Sequence, residues 1–296
     1  MTDRLPLGIG LVLIAFFMFS CVDTSAKWLA SMAIPVLQVA FFRYAGHFVI
    51  TSVQAAGSGF KQVRIPSAIA PQVLLRGALL AGSTVCNFIA IPHLPLTTIA
   101  TITFSAPVIV CALSGPMLGE KVGPWRWGAI AVGFLGVVIA LRPDGGFHWS
   151  MLFSVGAALN FALYSLMSRK LSSTVPVACL QFYSGLVGTV LLAPAALYFW
   201  VWPDSTSQWM LLIGIGLFAW FGHELFTRAH GYAPASALTP FSYVLFLYMC
   251  FWGWMIFDQL PDGRTIAAAV MMVCAGVTIW WRETSAQSAK RKRVPS

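Results

Sequence analysis

Arg43, Tyr44 and His47 stand within about one helical turn of each other inside an apolar stretch of a 296-residue chain. A guanidinium at that depth is costly without a partner. A substrate carboxylate would satisfy it through two parallel hydrogen bonds; a structural pair with Asp23 or with backbone carbonyls would do the same. Asp23 has Lys27 four residues on, the spacing of a helical ion pair. Trp220, His223 and Glu224 form a second constellation, with Trp220 and Glu224 at i and i+4. An aromatic face beside a carboxylate suits an α-amino group with an apolar side chain, although Trp220 is also a natural core residue. Glu224 or His223 can instead take up a coupling proton, because burial changes how readily each is charged. Asn87, Asn160, Tyr164, Gln181, Tyr183 and Tyr243 are the other intramembrane polar groups. Each can line a cavity or bond a neighbouring helix.

These residues do not assemble into a known catalytic pattern. His223-Glu224-Leu225-Phe226-Thr227 begins like the H-E-x-x-H zinc motif, but Thr227 stands where the second histidine is needed. There is no G-x-S-x-G element and no P-loop. The six cysteines all fall in apolar runs without C-x-x-C pairing, so neither a metal nor a disulfide is expected. No catalytic residue, metal or cofactor is assigned.

The elements that hold these groups are membrane helices. With 58% hydrophobic and 9% charged residues and a mean hydropathy of +0.80, the chain is far from the roughly 25% charged composition of a soluble domain. Apolar stretches of about 20 residues call for helices, and no alternating segments support a barrel. The fold class is all-α and polytopic. No signal-peptide cleavage site is evident, so the first apolar run is read as a span. Ten spans are predicted, at about 7–25, 35–53, 73–91, 97–118, 125–141, 148–167, 177–200, 209–227, 236–256 and 265–281.

Charge sets the orientation. With a cytoplasmic amino terminus, Arg4, Lys61, Arg64, Lys121, Arg126, Arg169, Lys170, Arg228, Arg282, Lys290, Arg291, Lys292 and Arg293 fall inside, against Lys27, Arg142 and Arg264 outside. The positive-inside rule therefore places both termini in the cytoplasm. The formal charge of +9 is explained by topology and does not call for nucleic acid; the basic end, 285–296, is read as a cytoplasmic tail. Tryptophans near span ends, such as Trp125, Trp149, Trp202 and Trp280, suit the interface with the lipid bilayer.

The chain also repeats itself. Thr98–Lys121 is a long apolar run with Pro107 inside it and Glu120 at its end, and Ser236–Asp258 is another, with Pro240 inside and Asp258 at its end. Pro35-Val36 with Phe41 matches Pro176-Val177 with Phe182, and Gly136-Val137 matches Gly276-Val277. The matches keep their order and nearly keep their spacing. Two units follow, 1–143 and 144–284, and five spans per unit means that the second enters the membrane inverted, an architecture of secondary transporters. Pro107 and Pro240 then mark bends, where a helix gives up a backbone bond. Ala129, Gly133, Gly136 and Ala140 make a small-residue stripe on the fifth span that permits close helix contact.

With ten spans as five plus five, a proline-containing fourth span closing on Gly119-Glu120-Lys121, and a fifth running from Trp127-Gly128 to Gly136-Val137, the chain resembles the EamA-type members of the drug/metabolite transporter superfamily. Within it the resemblance is greatest to the YddG-like amino-acid exporters. Phe257-Asp258 departs from the family's Gly-Glu ending in the second half. The resemblance implies a single central cavity, alternating access and export of small metabolites across the bacterial inner membrane. The expected substrates are amino acids with aromatic or other apolar side chains, with protons as a candidate coupling ion. A membrane-embedded binding or scaffold protein without flux is the alternative.

Overall fold

The computed structural model describes residues 5–57, 59–118, 124–141, 147–171, 174–232, 241 and 243–291. Gly119-Glu120-Lys121 and Pro240 lie outside the described residues. Among the described residues the secondary structure is helical, with no strand.

The first helices are α1 (Leu5–Ser31), α2 (Val36–Gly57) and α3 (Ala70–Ala90). A short 3-10 turn, Lys61–Val63, lies in the connection between α2 and α3. The predicted fourth span is two helices, α4 (Leu96–Thr103) and α5 (Ser105–Leu118), separated at Phe104. Pro107 falls in the first turn of α5 and has no N–H to offer the carbonyl of Thr103 four residues back, which accounts for an interruption at that point. Next come α6 (Pro124–Leu141), α7 (Ser150–Leu171), α8 (Val177–Tyr198), α9 (Thr206–Tyr232), α10 (Val244–Phe257) and α11 (Gly263–Arg291). The helix α11 continues through Arg291, seven residues into the segment expected to be tail.

Proline also starts helices here. Pro35, Pro95 and Pro176 directly precede α2, α4 and α8, and their carbonyls accept bonds from the N–H groups of Val39, Ile99 and Leu180 at 3.1, 3.2 and 3.1 Å. Proline's fixed φ suits the entry to a helix, and its missing N–H is not needed there.

Among the described residues six helices, α1, α2, α3, α7, α8 and α9, are long and apolar enough to cross a membrane; four shorter apolar stretches lie in α4–α5, α6, α10 and α11. Large apolar side chains point outward, as on α9, where Met210, Ile213 and Leu217 are exposed at spacings of three and four. A surface of that kind faces lipid.

Inside, α1 packs on α9, α3 on α7, α2 on α8 and α9, α3 on α8, and α6 on α11. The helix α4 lies against α10 and α7, and α5 lies against α7 and α6. Phe88, Ile91, Leu96, Ile99, Ile102, Leu212, Ile215 and Met249 are fully buried where these helices meet. The small-residue stripe of α6 is used within the chain: a Cβ on Gly133 would lie 2.6 Å from Val108 Cγ2, and one on Gly136 3.0 Å from Met272 Cγ.

Candidate functional site

Two glycines bring α2 and α9 together. A Cβ on Gly46 would lie 2.9 Å from Gly216 Cα, and one on Gly216 2.8 Å from Gly46 Cα. The backbones therefore touch, which is how membrane helices associate through small residues. On the neighbouring α8, Gly188 leaves room for the Tyr44 ring, which any Cβ there would overlap. Both close approaches lie within about one helical turn of Arg43 and fix its height and direction.

Arg43 is buried, at 8% exposure. Its Nη1 donates to Tyr44 Oη at 3.1 Å and to Thr84 Oγ1, and Tyr44 Oη lies 2.7 Å from Thr84 Oγ1. Thr84 gives its own proton to the Leu80 carbonyl at 3.1 Å, so the short Tyr44–Thr84 bond is donated by the tyrosine. On the other side, Arg43 Nη2 is 3.3 Å from His223 Nε2. Guanidinium nitrogens only donate, so His223 Nε2 accepts and its ring proton sits on Nδ1. His47 completes the cluster, buried with its ring 6.1 Å from that of His223. Arg43 Nε, His47 Nε2 and His223 Nδ1 are buried without a hydrogen-bond partner among the described residues.

The cluster forms one wall of a cavity of about 120 Å³, room for about ten waters or a small organic molecule. Arg43, Thr84, His223, Asp23, Asn87, Ser83 and Thr103 are its polar lining. Phe16, Phe19, Phe88, Phe161, Leu245 and Met249 supply an apolar side. Asn87 Nδ2 donates to Asp23 Oδ1 at 2.9 Å. Lys27 leaves Asp23 alone: its Nζ donates to the Leu94 carbonyl at 2.6 Å and to Gln259 Oε1 at 2.9 Å and lies 5.2 Å from the centre of the Phe257 ring. The expected i,i+4 pair is therefore not made. A guanidinium and a carboxylate thus line one cavity, amid phenylalanines, in a helical bundle with a lipid-like exterior.

The EamA-like transporter family model matches the chain twice, over residues 6–142 and 148–281. The chain belongs to the EamA-like transporter family. It is 28% identical to the pseudopaline exporter of Pseudomonas aeruginosa over 279 residues, covering 94% of this chain and 97% of that protein. It is 28% identical to the S-adenosylmethionine uptake transporter of Rickettsia bellii over 285 residues (96% and 97%). It is 29% identical to the riboflavin transporter of Vibrio cholerae over 273 residues (91% and 92%). A solved crystal structure matches at a TM-score of 0.67 and 16% identity, over 99% of this chain and 100% of that one, a likeness of fold alone. The protein is thus a multi-pass membrane transporter of small molecules and not an enzyme.

In this EamA-like transporter the expected site residues do not all meet. Arg43, Asn87 and His223 line the cavity, and Tyr44 and His47 stand directly behind them. Tyr243 is buried at the edge of the same core, its ring 4.9 Å from Phe104 and its hydroxyl without a partner among the described residues. Tyr164 has its ring 6.3 Å from that of His223, but it does not line the cavity and its hydroxyl is taken up by Arg76, whose Nη2 donates to it at 2.9 Å. Asn160 donates to the Gly156 carbonyl of its own helix at 2.9 Å, and Tyr183 packs on Phe182. Trp220 packs on Phe221, and Glu224 binds Arg228 at 2.7 Å. Neither Trp220 nor Glu224 lines the cavity, so the aromatic-carboxylate pair expected on α9 is not assembled there. Of the two groups read as acceptors of a coupling proton, His223 alone faces it.

Asp23, Ser83 and Thr84 are lining residues that sequence reasoning did not single out. Asp23 carried a signal, as the one carboxylate between Asp3 and Glu120. The nearby Lys27 masked it by offering a local partner.

Proposed function

We propose that the protein is a secondary transporter in the bacterial inner membrane that exports amino acids with aromatic or other apolar side chains by alternating access, both termini being cytoplasmic. The observation that carries this reading is Arg43, a cation in the cavity wall whose hydrogen bonds go to neutral groups and whose Nε has no partner among the described residues. A substrate carboxylate supplies the missing countercharge in bidentate geometry, and the phenylalanine side of the cavity receives the apolar side chain.

In this reading the chain has ten spans, α4 and α5 together making the fourth, and two inverted units at 1–143 and 144–284. The double family match supports it, and so does the packing. If each span is exchanged for the one five places on, the α1–α9 contact becomes the α7–α3 contact, and α2–α9 becomes α8–α3. The contacts α2–α8, α6–α11 and α4–α10 map onto themselves. An arrangement that survives this exchange is what a pseudo-two-fold axis in the membrane plane produces. Pro107 interrupts the fourth span beside the cavity residues Ile99, Ala100 and Thr103, and gives that helix a place to bend; Pro240 is proposed to do the same in the ninth.

The relatives include one named an exporter and one named an uptake transporter, so net direction rests on measurement. Counterflow in liposomes with a panel of amino acids is the test. Accelerated exchange of phenylalanine or leucine, lost in a folded Arg43→Ala protein, is expected. A wild-type protein that exchanges no amino acid sinks the reading. For topology, a reporter after Lys170 should be cytoplasmic and one between Asp258 and Arg264 external; both on one side rules out inverted units.

A further inference from the structure

Asp23 and Arg43 sit at the same depth. They lie eight and seven residues from the ends of α1 and α2 that face the Met32–Pro35 turn, which is about 10–12 Å along each antiparallel helix. Both line the same cavity. Yet they do not form an ion pair with each other. Arg43 is held by Thr84, Tyr44 and His223, and Asp23 by Asn87 through one oxygen, Oδ1. Asn87 lies three residues from Thr84 on α3, so one helix face fixes a neutral partner for each charge.

Two opposite charges at one level in a low-dielectric interior attract strongly, and each left uncompensated is costly. Held apart across a cavity, they offer two countercharges to a molecule that brings both. On the reading of Arg43 as the carboxylate site, we infer that Asp23 is the recognition group for the substrate's α-ammonium, so that the cavity selects zwitterions over simple carboxylates and simple amines. Asn87 orients the Asp23 carboxylate and leaves Oδ2 for the ligand. An anion with no ammonium meets Arg43 but also faces Asp23, and an amine with no carboxylate meets Asp23 but faces Arg43; each is rejected by the like charge it cannot neutralise. This assigns the ammonium to α1, at a residue whose helical neighbour Lys27 is bound elsewhere.

The test is counterflow of labelled phenylalanine in liposomes containing the full chain, competed with phenylalanine, 3-phenylpropionate or 2-phenylethylamine. For the wild type, each singly charged competitor is expected to be about tenfold weaker than phenylalanine or worse. In Asp23→Asn, which keeps the shape and the bond to Asn87, phenylalanine should weaken by about tenfold or more while 3-phenylpropionate improves, so that discrimination between them collapses. Equal competition by 3-phenylpropionate in the wild type overturns the inference, as does an Asp23→Asn protein that still discriminates. If Asp23→Asn does not fold, the competition on the wild type decides alone. Failure of the underlying reading is distinct: wild type would show no phenylalanine counterflow before any competitor is added, and the inference would fall with it.

Discussion

Two buried arginines in this bundle are built differently. Arg76, at 2% exposure, spends its guanidinium entirely on protein. Its Nε donates to Ser168 Oγ at 2.7 Å, its Nη1 to the Leu180 carbonyl at 3.0 Å and Ser184 Oγ at 2.8 Å, and its Nη2 to Tyr164 Oη at 2.9 Å. Its charge also lies 4.5 Å from the centre of the Tyr164 ring. It thereby ties α3 to α7 and α8. Arg43 is nearly as buried but has fewer and longer bonds apart from that to Thr84, an unpartnered Nε, and a cavity in front of it. A saturated cation holds helices together, whereas a cation left partly unsaturated beside a cavity is prepared for a ligand. Burial alone does not separate these roles; the account of donors does.

The sharpest break in the comparison comes from removing each cation. Arg43→Ala should lower amino-acid flux by about 100-fold or more while the protein still extracts from membranes as a monodisperse species, with Arg43→Lys intermediate because it keeps charge but loses the planar fork. Arg76→Ala should do the reverse. Leaving buried hydroxyls and a carbonyl without their donor costs about 2–5 kcal/mol, read as a lower thermal midpoint in detergent, with flux per folded molecule little changed. Arg76→Ala that folds normally but does not transport would erase the distinction.

A smaller effect is expected at Gly188, where an added Cβ would collide with the Tyr44 ring. Gly188→Ala should cost about 1–3 kcal/mol of stability and weaken substrate affinity by moving Tyr44 away from Arg43. Unchanged affinity would show that Tyr44 does not position the guanidinium. Smaller still is Pro107→Ala, which restores an N–H for Thr103. Maximal rate should fall by about two- to fivefold with affinity nearly constant, since about 0.5–1 kcal/mol on a conformational barrier has that effect. An unchanged maximal rate means that the fourth span does not bend in the cycle. Least affected should be Glu224→Gln, because the Glu224–Arg228 pair has a largely exposed arginine and is worth about 0.5 kcal/mol or less. Flux within about twofold of wild type is the expected result in the same liposome assay, and a large loss would return Glu224 to the site.

The sequence by itself determined the membrane class, the helical content and most span limits, because apolar length and backbone satisfaction in lipid leave a chain little choice. It also marked the interruption of the fourth span, since a proline's missing N–H acts on its own helix. Arg43 and His223 could be picked out for the same reason: a polar group in an apolar run is anomalous wherever the helix goes. The tertiary structure decided which polar groups share a cavity. Tyr164 and Glu224 looked as suitable as Asn87, but Tyr164 faces Arg76 and Glu224 faces Arg228. Lys27 looked like the partner of Asp23, but a carbonyl 67 residues away and an amide 232 residues away hold it instead. Spacing along one helix is a local quantity, whereas the pairing of buried charges depends on how the helices are rotated against one another. That rotation is set by contacts such as Gly46 on Gly216, which the sequence contains only as two unconnected glycines.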